Sequence, residues 1–117
     1  MENFKNYYKF PLHVDNMGVY VRTFDDEMAL MFTVRLEKDV IPTIVSKLNG
    51  KSNKTIACPS WHIKNGTEIW YDDTKIMLVR GWGMLHAKGN GGYGLSEEEA
   101  IKIQDEFAKY VVDVLNS

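Results

Sequence analysis

Ile76-Met77-Leu78-Val79-Arg80-Gly81-Trp82-Gly83, then Gly89-Asn90-Gly91-Gly92-Tyr93-Gly94, then Leu95-Ser96-Glu97-Glu98-Glu99 is the stretch that decides the fold. It reads as a strand, a glycine-rich loop and the opening of a long helix that runs to Asn116. Ser96 is a favoured N-cap, and Glu99 three residues on completes a capping box. Glu97, Glu98 and Glu99 put negative charge on the first turn, where the helix dipole favours it. Lys102, Asp105, Glu106, Lys109, Asp113 and Asn116 fall on one narrow arc at helical spacing. The rest of the circumference is mainly apolar, wider than a one-sided surface helix needs. The pattern predicts a helix that packs on a sheet and touches a second element along its flank.

Working outward, Tyr8, Phe10, Leu12 and Val14 alternate with Lys9, Pro11, His13 and Asp15, the period of a half-buried strand. Pro11 lacks an amide donor and places that strand at a sheet edge. A second strand is expected over residues 19–24 and a third over residues 28–36. The third is apolar on both faces for most of its length, as suits a central strand. A short helix follows, with Asp39 at its cap, Pro42 in its first turn and Gly50 just past its end. Residues 55–58 read as a short strand. Asn65-Gly66, between residues 61–64 and 68–71, is a strong hairpin signal. Asp72-Asp73-Thr74-Lys75 turns the chain into the last strand. A double aspartate precedes an apolar strand in each half, at Asp25-Asp26 and at Asp72-Asp73, a short echo of internal duplication.

The order is three strands, a helix, three strands, a helix. Strands joined by tight turns favour an α+β domain: a mostly antiparallel sheet of about six strands with both helices on one face. At 117 residues the chain is one domain, residues 1–117. The net charge of −2 provides no global basic field and argues against nucleic acid as partner. A single cysteine, Cys58, excludes an internal disulfide and fits a reducing compartment. No apolar run approaches the roughly 20 residues that span a bilayer, and the N-terminus lacks a signal-peptide core. The expected setting is the cytoplasm, with no membrane partner.

The strand residues Arg80 and Trp82, two apart, would share one face and offer a guanidinium beside an indole for recognition. Lys88 and Tyr93 in the glycine-rich loop, with Trp70 on a neighbouring strand, extend that candidate binding set. The loop itself matches neither the Walker nor the dinucleotide spacing, and the three glutamates after it would repel a phosphate. Of Trp70 and Tyr71, adjacent on a strand, one should face outward. His62, His86, Asp72, Asp73 and Cys58 lack metal-ligand spacing. Cys58 and Ser60 lack a nucleophile motif around them. Neither a catalytic constellation nor a cofactor motif stands out.

Arg80-Gly81-Trp82-Gly83-Met84-Leu85, then Leu95, Glu99-Ala100, Ile103-Gln104-Asp105-Glu106-Phe107-Ala108 and Leu115-Asn116, together with Phe10-Pro11-Leu12 and Ala29-Leu30-Met31-Phe32, resemble small proteins of phages and other bacterial mobile elements. That resemblance carries no catalytic or binding residue over; it implies a small accessory protein made inside a bacterial cell. The leading expectation is therefore a non-enzymatic protein that binds an unknown protein partner or itself, as a homodimer. Self-pairing would use the 76–79 strand if that strand were an edge. The alternative is a binder of a small, nucleotide-like ligand between aromatic faces and the glycine-rich loop. A small hydrolase using His62 or His86 is a third reading. A pocket lined by Trp70, Trp82 and Tyr93 would favour the ligand binder; a flat exposed apolar patch would favour the macromolecular one.

Overall fold

The computed structural model of the protein describes residues 3–52, 54, 60–89 and 92–117. The strand expected over residues 55–58, Cys58, and the Asn90-Gly91 part of the loop lie outside them. A 3-10 turn, Asn3–Asn6, precedes β1 (His13–Asp15), β2 (Tyr20–Arg22), β3 (Met28–Phe32) and α1 (Val40–Leu48). β4 (Trp61–Lys64), β5 (Glu68–Tyr71), β6 (Thr74–Val79), α2 (Trp82–His86) and α3 (Glu97–Asn116) complete it. The strands form one six-stranded sheet in the order β1-β2-β3-β6-β5-β4, every described pair antiparallel. The class is α+β, as expected. α2 and the N-terminal turn are additions to the expected order.

Local chemistry explains most boundaries. Asn65 and Gly66 take positive φ of 55° and 78°, and Asp72 takes 54°, so both hairpins of the second half use left-handed turn residues. Gly50 follows α1 at φ 72°, a conformation that costs glycine little. Asp39 occupies the α1 cap position, yet its side chain makes no cap bond; Thr43 Oγ1 donates back to Asp39 O at 2.8 Å instead. Ser96 does cap α3: the Glu99 backbone N–H donates to its hydroxyl at 3.2 Å. Ser96→Ala should therefore cost about 0.5–2 kcal/mol in a urea titration. Unchanged stability would mean that the cap bond contributes nothing to α3.

The first expected strand is shorter than its alternation suggests. Tyr8 and Leu12 are buried, but only residues 13–15 join the ladder. The Tyr8 ring stacks on Phe107 of α3 at 4.2 Å, and the Leu12 backbone is taken by a side chain. Asn49, just past α1, accepts from Leu12 N at 2.9 Å and donates to Leu12 O at 2.8 Å. Asn116, at the end of α3, does the same to Trp61, at 3.2 and 3.0 Å. Each half thus ends its helix on an Asn that clamps the backbone at the start of an edge strand. These amides occupy polar groups that an edge would otherwise leave open.

The two halves are related in more than their clamps. In the central ladder Leu30 pairs with Val79, Met31 with Leu78 and Phe32 with Met77. Exchanging Leu30 with Met77, and Phe32 with Val79, maps that ladder onto itself about the Met31–Leu78 pair. The same exchange maps the Val14–Val21–Leu30 row onto Ile63–Ile69–Met77. The fold therefore has an approximate two-fold centre between Met31 and Leu78. It also makes β6 a central strand, which removes it as a pairing edge; among the described strands β1 and β4 are the edges.

The described helices lie on one face of the sheet. α3 packs on β4, β5 and β6 and touches α1, α2 and the N-terminal turn. Val21, Leu30, Phe32, Ile69, Met77 and Val79 meet its Ile103, Phe107, Val111 and Leu115 in the core, all 7% exposed or less. Each such side chain contributes about 1.5–3 kcal/mol on full burial. Among the described residues no helix is long and apolar enough to cross a membrane.

Candidate functional site

The structure separates the residues that the sequence grouped. β6 stops at Val79. Arg80 N donates to Ala29 O at 2.8 Å, and Arg80 O accepts from Tyr8 OH at 2.6 Å. Gly81 then turns at φ 130°, and Trp82 opens α2 with its N–H on Gln104 Oε1 at 2.8 Å. Arg80 and Trp82 therefore do not share a strand face, because a glycine turn stands between them. Trp82 is 38% exposed and stacks on His86 with ring centroids 4.9 Å apart.

Trp70 lies elsewhere. On β5 it pairs with Lys75 of β6, five residues before Arg80, or roughly 16 Å at the rise of a strand. Its outward placement beside a core-facing Tyr71 agrees with the alternation argument; Tyr71 packs on Trp61 at 5.2 Å. Lys88 is exposed. Tyr93 packs edge-on against Tyr7 at 4.9 Å. No described pocket joins Trp70 to Trp82 and Tyr93. The glycine-rich loop has a packing reason for at least one of its glycines: a Cβ on Gly92 would sit 2.3 Å from Ala87 O. Residues 93–95 fold back on α2 through Tyr93 N to Met84 O, Gly94 N to Ala87 O and Leu95 N to Leu85 O.

Two arrangements remain that sequence reasoning did not find. The first is a partly buried carboxylate, Glu27, beside Tyr93. Glu27 Oε1 accepts from Tyr93 OH at 3.5 Å, while Glu27 Oε2 is buried with no hydrogen-bond partner among the described residues. Burial raises the Glu27 carboxyl above its ordinary value; nearby Lys9 opposes this and Asp25 adds to it. Burial and the same glutamate raise Tyr93 and Tyr8. A carboxyl raised by folding favours the fold when protonated. That contribution is full below the unfolded value, about 4.3, and is lost as pH rises through the folded one. Glu27→Gln should therefore melt higher than the parent at neutral pH, with the difference vanishing on acidification. A difference that grew below pH ~4 would contradict the assignment.

The second arrangement is larger. Opposite the helices, one row crosses all six strands: Asp15, Tyr20, Met31, Leu78, Glu68 and Lys64, each paired with the next. Tyr20, Met31, Leu78 and Trp70 are half-buried, and no described element packs over them. The apolar centre is flanked by charge on both sides. On the β1–β2 side Arg22 Nε bonds Asp15 Oδ2 and lies 3.7 Å from Asp26 Oδ1, and Arg22 Cζ lies 5.7 Å from the Tyr20 ring centre. On the other side Lys64 Nζ sits 4.0 Å over the Trp70 ring, and Glu68 accepts from Asn65 Nδ2 and Trp70 Nε1. Lys75 lies 3.8 Å from Glu68. The Met17 backbone N–H, then Arg22, lowers Asp15; Asn65, then Trp70, lowers Glu68. Both acids are thus held ionised at neutral pH. The sequence signal for this face was the apolar character of residues 28–36 on both sides of the strand.

The two histidines considered for chemistry each have a backbone partner: His62 Nδ1 lies 3.1 Å from Ser60 O and His86 Nδ1 2.9 Å from Leu95 O. Among the described residues no three His, Cys, Asp or Glu gather as a metal site. Compared with known protein families, curated proteins and solved structures, the chain matches none.

Proposed function

We propose that this chain is a non-enzymatic accessory protein that works by binding a macromolecule or another copy of itself, through the uncovered face of its sheet. The observation that carries the reading is the row Tyr20–Met31–Leu78 on the side that no described helix covers. A contiguous apolar centre with a polar rim is the anatomy of an interaction surface. Separation of Trp70 from Trp82 and Tyr93 weighs against the small-ligand alternative. The resemblance to phage and mobile-element proteins supports a setting inside a bacterial cell.

The test is site-specific photocrosslinking in the expressing cell. A photoreactive residue at position 31 should give an adduct of discrete mass. One at Lys102, exposed on the opposite side of the molecule, should give none. Equal adducts at both positions, or an adduct only at 102, would overturn the reading.

A further inference from the structure

Resting on that reading, we propose that the occupant of the uncovered face is the same face of a second copy, with strand orders running in opposite directions. Three observations choose this pairing. The edges are poor competitors: β1 has three residues and β4 four, and Asn49 and Asn116 clamp the backbone where each begins. The face has its apolar residues at its centre, where Met31 and Leu78 straddle the approximate two-fold of the fold. Its flanks differ in charge. The row that crosses the face ends on Asp15 at the β1 side, with Asp26 beside the same Arg22, and on Lys64 at the β4 side.

A two-fold axis parallel to the central strands lays each Asp15 end of that row on the partner's Lys64 end. An axis across the strands would stack like on like, which is disfavoured. Charge therefore selects the first, with Met31 and Leu78 meeting their counterparts at the centre. Six strands at about 4.8 Å spacing and a six-residue central strand cover roughly 24 by 20 Å. That footprint is below the ~800 Å² per partner of a standard interface, so the dimer should be weak, dissociating in the micromolar range.

Sedimentation equilibrium of the whole chain, from about 1 to about 500 µM, tests this. The parent should pass from monomer to dimer. Leu78→Lys should raise the dissociation constant about tenfold or more, as loss of a central anchor does. Lys64→Glu should raise it about threefold, and adding Asp26→Lys should restore it, since the reversed charges again face each other. Lys64 and Asp26 are exposed, so these variants fold even if Leu78→Lys does not. A parent that stays monomeric throughout overturns the self-partner, while a discrete adduct at position 31 would leave the binding face standing. A dimer indifferent to Lys64→Glu and to its rescue overturns the pairing geometry.

Discussion

Phe107→Ala is expected to lower the unfolding free energy by about 3–5 kcal/mol, the range for deleting a fully buried ring. Phe107 is 0% exposed and joins the halves of the molecule. Its ring stacks on Tyr8 at 4.2 Å and 9°, and lies 5.7 Å from Phe4 and 6.4 Å from Phe10. Removing it would leave the N-terminal residues without the surface they pack on. A stability of this order is a large part of the 5–15 kcal/mol that a domain has. Guanidinium unfolding followed by circular dichroism measures the effect. A variant with the parent's midpoint would refute the central place of α3 in the core.

Gly81→Ala is the second large effect, at about 2–5 kcal/mol from strain and crowding together. Gly81 sits at φ 130°, and a Cβ there would lie 2.5 Å from Tyr8 OH and 3.0 Å from Tyr8 Cζ. The substitution has a poor backbone conformation and no room. Part of the cost belongs to the hydroxyl, so Gly81→Ala should cost less in a Tyr8→Phe background than in the parent. The same melts for both singles and the double variant give that coupling. Strict additivity would show that Tyr8 OH does not set the crowding.

These two positions mark what the sequence could and could not say. Ser96, Gly50, Asn65-Gly66 and Asp72-Asp73 act through their own neighbours, and their turns and caps were legible from local chemistry. The α3 periodicity was legible too, because one helix samples the core at a fixed spacing. The end of β6 was not. It is set by Tyr8, 72 residues away, whose hydroxyl takes Arg80 O and leaves only glycine able to turn there. With that turn, the Arg80–Trp82 face disappears. The alternation of Tyr8, Phe10, Leu12 and Val14 misled for a related reason: Tyr8 is buried by an aromatic ring of α3 rather than by a strand partner. The uncovered face was half legible. Apolar residues on both sides of β3 suited a central strand covered on at least one side, but which strands would line its other side depended on the β3–β6 pairing, a long-range choice.

Methionine methyl resonances measure the central claim most directly, because the chain carries these labels on and off the proposed surface. Met31 lies at the centre of the uncovered face, Met77 is 0% exposed on the core side of the sheet and Met84 lies on α2, among the helices of the opposite face. Spectra of the purified protein, labelled at the methionine methyls, would be recorded as its concentration rises through the micromolar range. The account predicts a saturating shift of Met31, with Met84 and Met77 fixed. A series in which Met31 stays fixed, or in which Met84 moves in its place, would contradict it.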